Sequence, residues 1–259
     1  MSGGSVFFLS DFHLGIPNAN ESRARERLIV GFLEEIAPRA ETICLVGDVF
    51  DFWFEYRHVV PKYYTRLLGT LAKMTDSGIP IHFFKGNHDL WTFGYLCDEI
   101  GLEVHHGEWA PVLGENEKKF YIAHGDGKGP GDKGYKSLKK IFHLPLNQRL
   151  FSWLHPDLGH SLARSWSYRS RVAAPSDESF QKADEWLYQY CLRKLEKEYY
   201  DYFVFGHRHL PIHTPVGENS LYVNLGDWLQ FHTYAEFDGK RLELLRFPDH
   251  TLAGFGRGR

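Results

Sequence analysis

Short apolar runs alternate with stretches of helical period along the first half of the chain. Val6–Leu9 has the continuous apolar character of a strand buried on both faces. Arg23–Ile36 follows with Leu28, Ile29, Phe32 and Leu33 at helical spacing, which predicts an amphipathic helix. Thr42–Val46 repeats the strand pattern, Tyr63–Thr75 the helical one through Leu67, Leu68 and Leu71, and Ile79–Phe84 the strand again. Phe120–Ala123 and Tyr202–Phe205 are predicted strands, the second preceded by a helix from about Ser179 to Glu198. Beyond it the spacing shortens, and Leu221–Leu225, Tyr234–Phe237 and Leu242–Phe247 read as hairpin strands. Early β-α alternation with a late antiparallel set predicts an α/β layered sandwich with two sheets.

One segment breaks the alternation. Residues 127–171 are helical, aromatic and basic, and end in the run KSLKKIFHLPLNQRLFSWLHPDLGHSLARSWSYRSR. Nine basic and two acidic side chains give this segment about +7; the chain's net charge is -3, so about -10 falls on the remainder. A length of 259 residues fits one large domain with an insertion. Residues 1–250 are assigned to that domain, about 127–171 to the insertion and 251–259 to a C-terminal tail. The acidic body argues against a nuclease, which needs an extended basic track, and no nucleic-acid partner is expected. Nothing in the sequence points to an obligate protein partner. Cys44, Cys97 and Cys191 stand apart, with no C-x-x-C pair, a usage that fits a reducing compartment. The N-terminal apolar run ends at Asp11, too early for a secretion signal, and no stretch reaches the ~18 apolar residues of a membrane span. The expected location is cytoplasmic, free or resting on a membrane without crossing it.

Polar chemistry gathers at the ends of the predicted strands. LSDFHLG supplies Asp11 and His13, LVGDVFDFW supplies Asp48 and Asp51, and FKGNHDLW supplies Asn87, His88 and Asp89. YIAHGDGKG adds His124 and Asp126, and VFGHRHLP adds His207 and His209. Open α/β sheets bind ligands beyond the carboxyl ends of their strands, so five such loops can converge on one point. Taken singly, each piece has a plainer reading: a helix cap, an Asx-turn, a solvent-facing His pair. Together they form a set of oxygen and imidazole donors without thiolate, suited to Mn²⁺, Fe²⁺, Co²⁺ or Zn²⁺. Asp11, His13, Asp48, Asn87, His124, His207 and His209 are too many for one ion and about right for two sharing a carboxylate. The glycines before Asp48, Asn87 and His207 leave room for the backbone to turn against the site.

The ordered set D-x-H, G-D-x-x-D, G-N-H-D, H-G-D and G-H-x-H, from Asp11 to His209, resembles the calcineurin-like metallophosphoesterase superfamily. The resemblance implies a layered αββα sandwich of two mixed β-sheets flanked by helices, with the insertion as a helical cap. It also implies two divalent cations, Mn²⁺ foremost: one held by Asp11, His13, Asp48 and His209, the other by Asp48, Asn87, His124 and His207. His88, with Asp89 behind it, is similar to the family's general-acid or phosphate-contacting pair. The stretches GDVFDFWF and DKGYKSLKKIFHLPLNQRLFSWL further resemble the UDP-2,3-diacylglucosamine hydrolases of lipid A synthesis. That likeness implies cleavage of a nucleotide-linked lipid at its pyrophosphate by an enzyme peripheral on the cytoplasmic face of the inner membrane. Asn87, His88 and His207 would touch substrate, and Asp132 and Tyr135 align with glucosamine contacts. Arg169 and Arg171 are chosen from charge alone. The best-known members carry Arg where His88 stands; His88 follows the wider superfamily.

The insertion's own residues suit such a substrate. Leu138, Ile141, Phe142, Leu146, Leu150, Phe151, Trp153 and Leu154 offer apolar lining for acyl chains, and the basic residues among them suit the pyrophosphate or anionic headgroups. Other readings stay open. The same apolar residues would also dock the insertion onto the body as a structural lid over a site for a soluble nucleotide or phosphoester. A non-catalytic relic of the fold would show gaps among the donors, and none is seen.

Overall fold

The computed structural model describes residues 4–129, 141–142, 144–173, 180–182 and 185–255; the side chains of 164 and 166–173 fall outside it. Along the chain these form β1 (Ser5–Leu9), α1 (Ala19–Ile36), β2 (Ala40–Leu45), α2 (Thr65–Asp76), β3 (Ile81–Phe84), α3 (Tyr95–Asp98), β4 (Glu103–His105), β5 (Val112–Leu113) and β6 (Lys118–Ala123). There follow α4 (Pro145–Ser152), α5 (Pro156–Ala173), α6 (Trp186–Leu195), β7 (Tyr202–Phe205), β8 (Pro211–Val216), β9 (Ser220–Leu225), β10 (Thr233–Phe237), β11 (Leu242–Arg246) and β12 (Thr251–Leu252). The strands make two mixed sheets, seven strands in the order β12-β11-β10-β1-β2-β3-β4 and five in the order β5-β6-β7-β9-β8. In the first, β1 to β4 run parallel; in the second, β6, β7 and β9 do.

Two-residue alternation along β1 explains its unbroken apolar run. Val6 and Phe8 face the other sheet, where they meet Phe120, Ile122, Val204 and Val223. Phe7 and Leu9 face the opposite way, into Ile29, Phe32 and Leu33 of α1 and Leu67 and Leu71 of α2. The outer face of the second sheet packs Tyr121, Phe203, Phe205 and Tyr222 on Leu187 and Cys191 of α6. Helix, sheet, sheet, helix: the layers are those implied by the resemblance, and each interface buries an apolar face. Among the described residues no helix is long and apolar enough to cross a membrane.

The structure departs from the sequence reading at several boundaries. Helix α1 starts at Ala19 rather than Arg23, because the Asn18 side chain caps it by accepting the Asn20 and Glu21 amides. Helix α6 starts at Trp186 rather than near Ser179. Glu185 is extended there, its carboxylate drawn to the Arg208 guanidinium at 2.9 Å. Strand β8 went unread because Pro211 and Pro215 interrupt its pattern; it lies at a sheet edge, where missing amide protons are tolerated. Strands β4, β5 and β12 are too short to carry a period. Strand β12 also takes Thr251 and Leu252, read as tail, into pairing with β11.

Candidate metal centre

The carboxyl ends of β1, β2 and β3 in one sheet, and of β6 and β7 in the other, open toward the same place. The loops after them are tied by backbone hydrogen bonds: Asp11 N to Gly47 O at 3.1 Å, His13 N to Asp48 O at 3.0 Å, Gly206 N to His124 O at 3.0 Å. Asp11, His13, Asp48, His207 and His209 all have φ between 43° and 68°. Left-handed backbone is costly for residues with a Cβ and persists only where the surroundings over-determine it. Among the described residues, five of the nine non-glycine residues in this region are expected metal ligands, so the strain is concentrated at the site. Two glycines make the approach possible. A Cβ on Gly86 would lie 2.5 Å from Asp48 N, and one on Gly206 would lie 2.5 Å from Asp11 Oδ2.

Two donor groups result, and they share Asp48. Asp11, His13, Asp48 and His209 present atoms that all lie within 4.8 Å of one another, as do Asp48, His124 and His207. Asn87 joins the second group through its Oδ1, 3.2 Å from His124 Nε2. His124 Nε2 is 3.2 Å from Asp48 Oδ2, His209 Nε2 is 3.3 Å from Asp11 Oδ1, and His13 Nε2 is 3.0 Å from His209 Nε2. All seven residues expected to hold metal are therefore brought together. Asp11 Oδ1 is fully buried and has no hydrogen-bond partner of good geometry. A buried carboxylate oxygen without a partner, among carboxylates and imidazoles brought this close, is what a cation would satisfy, so the residues fit divalent metal.

Charge coupling within the groups is strong. Burial works against a charged His13, but Asp11 and Asp51 overcome it and raise its pKa to about 10. His124 is likewise opposed by burial and raised to about 10 by Asp48. Burial would lift the Asp48 carboxyl; His124, His88 and His13 hold it well below the usual range instead. His207 is pushed down to about 4 by burial and by the neighbouring His124. The electrons that hold these protons are the ones a cation would take.

Around the donors lies a second set of contacts. His13 Nδ1 is 3.5 Å from Asp51 Oδ1, His124 Nδ1 donates to Val46 O at 2.8 Å, and His209 Nδ1 is 3.5 Å from Asp227 Oδ2. Asp227 was not singled out from sequence. Its signal was present, since Gly226-Asp227 ends β9 with the same Gly-Asp grammar as Gly47-Asp48. His88 Nδ1 donates to Asp51 O at 2.9 Å, its ring stands edge-on to His13 at 4.8 Å, and burial lowers its pKa. Asp89 accepts the Gly86 amide at 2.7 Å and the Val49 amide at 2.8 Å. It therefore braces the loops that carry Asn87 and Asp48. Burial, with the charge of Asp48, raises its pKa to about 7.

The insertion sits beside this centre. Phe151 packs on Trp91 (4.7 Å between centroids) and Phe54 (4.8 Å), Phe142 on Trp91 (5.5 Å), and Trp91 Nε1 donates to Phe142 O at 3.0 Å. Leu146 and Leu150 of α4, Trp153 just past its end, and Leu158 and Leu162 of α5 are by contrast exposed. Asp132 and Tyr135 lie outside the described residues, and of Arg169 and Arg171 only the helical backbone is described.

Comparison with known proteins agrees with this architecture. The family model of calcineurin-like phosphoesterases matches residues 4–211. The chain is 36% identical, over 94% of its length and 98% of the other's, to a UDP-2,3-diacylglucosamine hydrolase of Porphyromonas gingivalis. It is 26% identical to the enzyme of that name from Photorhabdus laumondii, over 94% of this chain and 99% of that one.

Proposed function

The chain belongs to the calcineurin-like phosphoesterase family, and from that premise we propose that it cleaves the pyrophosphate of UDP-2,3-diacylglucosamine to UMP and 2,3-diacylglucosamine 1-phosphate. It is a metal-dependent phosphoester hydrolase. The observation that carries the substrate is likeness along nearly the whole of both chains, insertion included, to a relative of that name.

In this reading Asp11, His13, Asp48 and His209 hold one Mn²⁺, and Asp48, Asn87, His124 and His207 hold the other. Bound there, the pair supplies Lewis-acid polarisation of phosphoryl oxygens and a water of lowered pKa. The chain's own residues do the rest. Asn87 contributes a neutral oxygen, which leaves the centre positive enough to attract a diphosphate. His88, its Nδ1 committed to Asp51 O, turns Nε2 toward the phosphoryl group and in its protonated form donates to a departing oxygen. Asp89 fixes the loops on either side, so the donors need not reorganise during reaction. Asp132 and Tyr135 contact the glucosamine, and Arg169 and Arg171 the diphosphate.

The exposed apolar residues of α4 and α5, with Arg149 among them, rest on an anionic membrane surface and receive the acyl chains. The enzyme works on the cytoplasmic face of the inner membrane. The test is release of UMP from the lipid substrate by the Mn²⁺-loaded protein. Asp48→Ala and His124→Ala should abolish turnover with the circular dichroism spectrum retained. No UMP from the wild-type protein would remove the proposal.

A further inference from the structure

A second cluster of metal-type donors lies away from the centre, on the edge of the seven-stranded sheet. The register of β3 and β4 sets His82 opposite Glu103 and Phe84 opposite His105, so Glu103 and His105 project from one face beside His82. His82 Nδ1 is 3.0 Å from His105 Nε2 and 3.2 Å from Glu103 Oε2. Whichever tautomer His82 takes, its single Nδ1 faces two polar atoms at once. The three donor atoms all lie within 4.8 Å of one another.

Those spacings have a natural occupant. In a tetrahedral site with bonds of about 2.0–2.1 Å, neighbouring ligand atoms stand about 3.3 Å apart, close to the two distances here. The surroundings are also those of a ligand pair. Trp109 packs on His82 at 4.2 Å and on His105 at 5.1 Å, and Phe84 stacks on His105 at 4.6 Å, giving the rings an apolar floor. Burial lowers the pKa of both histidines, which keeps lone pairs available. His82 is buried, His105 half-buried and Glu103 exposed, so an ion has a path in and a side left for water.

We propose that His82, Glu103 and His105 form a separate site for one divalent transition-metal ion of the Zn²⁺ class, completed by water and clipping the edge strand β4 to β3. Its ligand chemistry differs from that of the main centre: two imidazoles, one carboxylate and an open position, with no bridging group. The inference does not depend on the lipid substrate.

Equilibration with Zn²⁺ followed by desalting and metal analysis tests it. Wild-type protein should retain one more Zn²⁺ per chain than either His105→Ala or Glu103→Gln, while both variants keep wild-type turnover in Mn²⁺. The exposed Glu103→Gln change guards against misfolding as an explanation. Trp109 supplies a local reporter: Co²⁺ should quench wild-type tryptophan fluorescence more than that of Trp109→Phe, and the difference should vanish in His105→Ala. Equal Zn²⁺ counts in wild type and both variants would overturn the proposal, as would Co²⁺ quenching that is indifferent to Trp109.

Discussion

At the residue scale, the donor set was legible because its chemistry is written in residue type. Aspartate, histidine and asparagine after apolar runs have few reasons to recur five times in order. What sequence could not supply was which second residues hold the donors in place, since a supporting carboxylate resembles any loop aspartate until the fold closes. Asp227 is the instance, 3.5 Å from His209 Nδ1 and fixed by accepting the Gln230 and Phe231 amides. Asp227→Asn should weaken metal affinity or activity by about 10–100-fold with the melting temperature of the metal-free protein little changed, as metal titration and thermal melts would measure. Asp89, expected behind His88, accepts two backbone amides with its carboxylate, a bracing contact that sequence could not supply. Gly206 gives a sharper test. Its replacement by Ala would drive a methyl onto Asp11 Oδ2, 2.5 Å from the added carbon, so Gly206→Ala should lose turnover while remaining folded.

At the element scale, long elements with a strong period were foreseen and short or proline-bearing ones were not. The faces of the insertion were foreseen only in part. Sequence placed apolar residues there but could not sort those that dock from those that stay outside. The structure sorts Phe142 and Phe151 inward, onto Trp91 and Phe54, and Leu146, Leu150 and Trp153 outward. A triple change of the outward residues to serine should release the protein from anionic vesicles and cripple lipid turnover. Hydrolysis of a small chromogenic diester should stay within about twofold, because the docked face is untouched. Equal loss on both substrates would favour the lid reading. Truncation to Ala of the fully buried Phe8, stacked on Phe120 at 5.6 Å between the sheets, should cost about 3–5 kcal/mol by denaturant unfolding.

At the scale of the whole molecule, the donors come from both sheets: Asp11, His13, Asp48 and Asn87 from one, His124, His207 and His209 from the other. Binding that needs both sheets in place adds directly to folding stability. Chelation should therefore lower the melting temperature by about 5–10 °C, the amount that ~2.7 kcal/mol at a hundredfold excess over Kd implies for a chain this long. The layer between the sheets holds no chemistry of its own, yet Val6, Ile122 and Val204 set how far apart the two halves of the donor set stand. A shaved methyl there, say Ile122→Val, should cost only about 0.5–1.5 kcal/mol by denaturant unfolding yet lower turnover out of proportion to that loss. These interior positions are thus governed by tolerances of reactivity tighter than those of folding, and a catalogue of inactive but well-folded variants should be richest among side chains that never see the substrate.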